Sequence, residues 1–185
     1  MNSLLNFGTI LLDMETDKQH RDGTNAVDII VSDHDNQLRL LLILERIIKI
    51  GDPVEMTRFA PELLEFFSDD LAQHMELEED GLFPLLKQRC LPTDDLAMII
   101  NQLSYEHGLD RDLVEFLVTD LKKIAHGHHG AIPARFAINA QAFIETQRRH
   151  INWENQIVIP LAKKRLSSDD IKSLAIFVTP RSMRE

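Results

Sequence analysis

The chain has 185 residues, 44% hydrophobic and 27% charged, with 7 Gly, 7 Pro and a single Cys. That is enough apolar material for the core of one domain, so wholesale disorder is excluded. One Cys rules out a disulfide scaffold and a Cys-based zinc cluster and fits a reducing compartment. The formal charge of −10 repels phosphate backbones and anionic lipid, so neither nucleic acid nor a membrane surface is an expected partner. The longest apolar runs, Leu40 to Leu44 among them, fall far short of the roughly 18 residues that span a bilayer. No basic residue precedes Lys18, unlike the charged start of a signal peptide, and a soluble, cytoplasmic protein is expected.

In chain order, residues 1–26 come first. Leu4, Leu5, Phe7, Ile10, Leu11 and Leu12 suit an arm packed across the rest of the fold, and Met14 to Thr24 is polar and loop-like. Val27, Ile30, Val31, Leu38, Leu41, Leu42 and Ile48 then recur at helical spacing up to the Gly51-Asp52-Pro53 break. A second helical stretch, from about Pro53 to Arg89, carries Phe59, Leu63, Phe67, Leu71 and Leu82 on one face; Pro61 predicts that it begins late or bends. Leu91-Pro92-Thr93-Asp94-Asp95 reads as a stop followed by an N-cap, with acidic side chains at the positive end of the next helix. The third stretch runs to about Ala125 and ends at His126-Gly127-His128-His129-Gly130, the last of which precedes a fourth stretch from Pro133 to about Arg165. Ser167-Ser168-Asp169-Asp170 caps a short final helix near 169–178. Strand alternation is absent. The reading is all-α: an N-terminal arm (1–26), an up-down-up-down four-helix bundle (27–166), and a short C-terminal helix and tail (167–185).

An internal repeat is the strongest signal. His74 and His150 each have a Glu four residues on, Glu78 and Glu154. Each is followed in register by Pro (Pro84, Pro160), Leu (Leu85, Leu161), Lys (Lys87, Lys163) and Arg (Arg89, Arg165), at a constant offset of 76. The same offset pairs Phe67 with Phe143, and an offset of 73 pairs His34 with His107 on the preceding helices. Both copies then reach an Asp pair, Asp94-Asp95 and Asp169-Asp170. The chain therefore reads as two tandem helical hairpins, each contributing a His and then His-x-x-x-Glu.

Residues four apart on an α-helix share a face, about 6 Å apart along the axis. If both His-x-x-x-Glu faces turn inward, two imidazoles and two carboxylates meet in the core, and His34 and His107 add one imidazole from each remaining helix. Four His and two Glu buried together are too costly to leave unpaired, and a metal resolves that cost. Two bridging carboxylates suit two cations roughly 3.5–4 Å apart. Mixed imidazole and carboxylate donors favour iron or manganese, with zinc as a substitute.

This pattern resembles the hemerythrin-like, or HHE cation-binding, family over roughly residues 27–165. The family's His, His-x-x-x-Glu, His, His-x-x-x-Glu order matches His34, His74/Glu78, His107 and His150/Glu154, with Leu-Phe-Pro-Leu and Val-Ile-Pro-Leu following the two Glu. The ferritin-like alternative uses Glu-x-x-His, and no His here has a Glu three residues before it. The resemblance implies a four-helix bundle, metal ligation by those six residues, two iron ions, and a small diatomic or peroxide ligand. Oxygen-carrying hemerythrins add a fifth His four residues along the third helix, where this chain has Arg111. That departure implies open metal positions and favours reactivity or iron exchange over oxygen carriage.

Nearby residues give further expectations. Asp110 shares a face with His107 and is a candidate ligand or support, while Glu79 and Glu106 point about 100° away and read as surface residues or supports. Gly108 either admits a neighbouring helix or leaves room for a small ligand; Trp153 and Cys90 read as packing; His126, His128 and His129 read as a solvated turn. Phe67 and Phe143 would line the site with apolar surface. Two functions follow, beside a third reading as a helical interaction module whose site is mainly structural. The first is a non-haem di-iron protein that binds or reduces oxygen, peroxide or nitric oxide. The second is non-catalytic iron or oxygen sensing or storage, including iron supply for iron–sulfur cluster repair; relatives with that role usually carry an added Cys-bearing N-terminal domain.

Overall fold

The structure is a computed structural model that describes residues 25–126 and 132–178. The arm expected over residues 1–26 lies outside them except for its last two residues, as do His20, His128 and His129. Every described secondary-structure element is helical, as the sequence predicts. No described helix is long and apolar enough to cross a membrane.

Helix α1 spans Ala26–Ile50. The Asn25 side chain accepts hydrogen bonds from the backbone N–H groups of Val27 and Asp28, satisfying two of the donors a helix start leaves open. The helix stops at Gly51, whose φ of 71° is left-handed and favours a residue without Cβ. Asp52 then caps the next rod by accepting from Val54 N–H, and Pro53 occupies its first position. That rod contains α2 (Pro53–Glu65), α3 (Leu71–Glu76) and α4 (Phe83–Arg89). Wider π-type turns at Phe66–Asp70 and Leu77–Leu82 join them, with right-handed helical dihedrals at every junction. Pro61 neither delays nor ends α2.

A single turn of tight helix at Pro92–Asp94 leads into α5 (Leu96–Ala125). Here the expected acidic cap is not made. Asp95 has a left-handed φ of 49° and no side-chain cap bond, and Asp94 turns back to accept from Leu91 N–H at 2.8 Å. The fourth rod comprises α6 (Ala134–Trp153), a π-type turn at Glu154–Val158 and α7 (Ile159–Arg165). Ser167 then opens α8 (Ser168–Ser173) with a reciprocal cap: its hydroxyl accepts from Asp170 N–H, and the Asp170 carboxylate accepts from Ser167 N–H at 2.9 Å. Helix α9 (Ala175–Val178) follows.

Two of the π-type turns have a cause in the sequence. Pro84 and Pro160 sit just beyond them, each without an N–H and with a ring that crowds the carbonyl four residues back. A wider turn relieves that contact while the rod continues.

The core divides into two apolar clusters. One gathers Leu40, Leu41 and Leu44 of α1, Phe59 and Leu63 of α2, Leu117 and Leu121 of α5, and Phe136 and Phe143 of α6. The other gathers Val27 and Ile30 of α1, Phe83 and Leu86 of α4, Ile100 and Leu103 of α5, and Ala162 of α7. In sequence, the buried His and Glu of α1, α5 and the fourth rod fall between their contributions to the two clusters, and those of the second rod lie where its contributions meet, so the polar centre has an apolar cap on either side. Phe67 meets Phe143 edge-to-face in the first cluster, with ring centroids 5.2 Å apart.

The repeated tails clasp each other. Arg89 reaches Asp170 at 2.8 Å, and Arg165 reaches Asp94 at 2.7 Å, each through two guanidinium nitrogens. The Arg of each hairpin thus binds an Asp that follows the other hairpin. On the outer side of this end, Leu174 and Phe177 pack onto Gly81, where a Cβ would lie 2.9 Å from both side chains. Only glycine allows the C-terminal helices this close an approach to the turn that carries Glu78.

Candidate metal centre

Six side chains named from the sequence meet between the two apolar clusters: His34, His74, Glu78, His107, His150 and Glu154, each at most 4% exposed. Their donor atoms form two overlapping groups. In His34, His74, Glu78 and Glu154 one ligand atom from each residue lies within 4.8 Å of the others, and the same holds for Glu78, His107, His150 and Glu154. Glu78 and Glu154 belong to both. The imidazoles pair off accordingly, His34 with His74 at 5.0 Å between ring centroids and His107 with His150 at 4.6 Å.

All four rings turn Nε2 inward. His34 Nε2 lies 3.1 Å from Glu154 Oε2 and 3.9 Å from Glu78 Oε1. His74 Nε2 is 3.5 Å and His107 Nε2 3.3 Å from Glu78 Oε2, and His150 Nε2 is 3.1 Å from Glu154 Oε1. Despite these short distances, the four carboxylate oxygens and the Nε2 atoms of His34 and His150 are buried without a hydrogen bond. Buried polar atoms are rarely left so, and a cation between them would satisfy all of them at once. The donor set therefore fits a bound metal cation.

The outward nitrogens, Nδ1, meet a closed ring of partners. Asp33 on α1 faces His74 of α3 at 3.6 Å. Glu79, in the turn after α3, accepts from His107 of α5 at 2.6 Å and is itself held by the Ser104 hydroxyl at 2.9 Å. Glu106 on α5 accepts from His150 of α6 at 3.1 Å and from Arg149 and Gln102 at 2.8 and 3.0 Å. Asn155, in the turn after α6, accepts from His34 of α1 through its side-chain oxygen at 2.8 Å. Three rods thus supply, from beside their own site residue, a hydrogen bond to a histidine on the next rod, and the first places Asp33 opposite His74 without one. An Nδ1–H donated outward leaves the Nε2 lone pair free for a metal.

Electrostatics follow from this packing. Burial opposes a charge on His34, but the Glu154 and Glu78 carboxylates outweigh it and raise its pKa to about 9. Against the same opposing burial, Glu78 and Glu79 lift His107 to about 10, and Glu154 lifts His150. Burial would raise Glu154, yet the His150 and His34 imidazoles hold it well below the usual carboxylate range. Protons on imidazoles thus balance the buried carboxylates in the metal-free chain.

Other expectations meet different fates. Asp110 is buried, but it belongs to neither group of donors; its carboxylate accepts from Gln147 at 2.7 Å and from Thr146 at 3.2 Å, which corrects its reading as a further ligand. Burial pushes its carboxyl upward. Gly108 is exposed and a Cβ there would meet nothing within 4 Å, so it admits neither a helix nor a ligand. Trp153 and Cys90 pack against the second cluster, and Phe83 stacks on His107 at 6.0 Å. Asp33 and Asn155 were not legible as supports; their signal is a polar acceptor directly beside a metal-type residue.

The chain matches the model of the hemerythrin HHE cation-binding domain over residues 25–162 and belongs to that family. Neither a curated protein nor a solved structure matches it.

Proposed function

We propose that His34, His74, Glu78, His107, His150 and Glu154 hold two iron ions bridged by the two carboxylates, and that the centre binds or reduces a small oxidant such as oxygen, peroxide or nitric oxide. The observation that carries this reading is the sharing of Glu78 and Glu154 between two groups of donors, each completed by its own pair of imidazoles. Two His and two shared carboxylates per metal fit iron or manganese, with zinc as a substitute. An up-down-up-down order of the four rods belongs to the same reading. Its support is that α1 and α5 meet the second apolar cluster first, whereas the second and fourth rods meet it last.

When bound, such a metal pair supplies electrons and Lewis acidity to a small ligand. The chain's own contribution is to fix the donors, exclude bulk water and limit size. Glu79, Glu106 and Asn155 lock three imidazoles through Nδ1, so their Nε2 atoms need no reorientation on loading. A cavity of about 70 Å³ between α1 and the second rod is bordered by His74, Asp33 and Gln73. Room on that scale suits a few water-sized groups and favours a small oxidant over an organic substrate.

The test is to load the chain with iron and mix it with peroxide, oxygen or nitric oxide while following absorption and reagent consumption. The reading expects new charge-transfer bands with at least one reagent, and turnover would make it an enzyme. Bands without consumption would indicate sensing or carriage. Neither bands nor consumption, with iron bound, would leave storage as the function.

A further inference from the structure

We infer that the two halves of this centre hold their cations with unequal strength, and that Glu79 and Glu106 are the positioning residues that make the His107/His150 half the tight, first-filled one. The inference rests on the metal-pair reading above. It comes from the unevenness of the outer ring. On one half both Nδ1 atoms face carboxylates at hydrogen-bond distance, 2.6 Å for His107 and 3.1 Å for His150. On the other half His34 faces the neutral amide oxygen of Asn155, and His74 Nδ1 lies 3.6 Å from Asp33 and makes no hydrogen bond.

An anionic acceptor on Nδ1–H makes Nε2 a stronger donor and fixes the ring; a neutral one does so less, and a missing bond leaves the ring to be ordered when metal arrives. The two carboxylates are themselves held in place, Glu79 by Ser104 and Glu106 by Arg149 and Gln102, so they do not have to be ordered on loading. Access differs in the same sense. His74 borders the 70 Å³ cavity, whereas neither His107 nor His150 borders the groove of about 650 Å³ between the second rod and α5, which Glu79 lines. The weakly braced half thus has a cavity beside it, and its cation is the exchangeable one.

The experiment is an anaerobic titration of the metal-stripped full chain with ferrous ion against a competing chelator. Two steps separated by at least about tenfold are expected, and His74→Ala should remove the weaker one only. Glu79→Gln and Glu106→Gln should each weaken the tighter step by about 10–100-fold and spare the other. Asn155→Asp should strengthen the weaker step, a gain that damage to the fold cannot produce. Two indistinguishable steps in the wild type, or equal loss in both steps on Glu79→Gln, would overturn the inference while leaving the metal pair in place. Failure to bind ferrous ion at all would overturn the metal-pair reading and the inference with it.

Discussion

Glu106 Oε2 lies 3.1 Å from His150 Nδ1, although in the chain Glu106 is the neighbour of His107. The residue beside one of the six braces a histidine on the next rod, and the same step repeats from Glu79 to His107 and from Asn155 to His34, while Asp33 faces His74 at 3.6 Å without a hydrogen bond. The centre is therefore cross-braced by all four rods, and its geometry depends on their relative placement. Phe143 tests the apolar packing that sets this placement without touching the donors. It is fully buried against Phe67. Phe143→Ala should cost about 3–5 kcal/mol through lost burial and the cavity left behind, measured by chemical denaturation of the metal-free chain.

The proton balance of the centre predicts opposite pH trends with and without metal. His34 at about 9 and His107 at about 10 lie above the unfolded value of 6.5. Their contribution to stability is fully present below pH 6.5 and is lost as pH rises through 9 to 10. The melting temperature of the metal-free chain should therefore fall over that interval. Metal must displace those protons, so the increase in melting temperature on adding metal should grow over the same interval. Thermal melts from pH 6 to 10, with and without metal, read both trends.

The clasp between hairpins predicts a trend on the acid side. Arg89, together with Ser167, holds the Asp170 carboxyl far below its ordinary value of 3.8. A depressed carboxyl stabilises the fold above its unfolded pKa and loses that effect as pH falls toward its folded one. Asp170→Asn should lower the melting temperature at neutral pH, and the gap from wild type should close progressively below about pH 4. The exposed position of Arg89 keeps the effect well below that of Phe143→Ala.

What the sequence made legible follows from periodicity. The helical stretches, their breaks at Gly51-Asp52-Pro53 and at Leu91-Pro92, and the meeting of the six His and Glu side chains in the core were readable, because a four-residue spacing fixes a helix face before any packing is known. The supports were not readable to the same degree. Glu79 and Glu106 lie about 100° from their neighbours on an isolated helix, and only the packing of the next rod turns that direction into a contact. Asp110 misled for the same reason: it shares a face with His107, yet Gln147 of the adjacent rod takes its carboxylate. The π-type turns also escaped, although Pro84 and Pro160 mark two of them, since a proline in a helical pattern reads first as a stop or a bend.

Metal content per chain tests the central claim most directly. The full chain, loaded with excess ferrous ion and separated only from unbound metal, should carry about two iron ions by elemental analysis. Glu78→Ala or Glu154→Ala should each abolish the pair, because each carboxylate serves both groups of donors. A chain that binds no metal, or binds a single ion unaffected by His74→Ala and His107→Ala, would contradict the account.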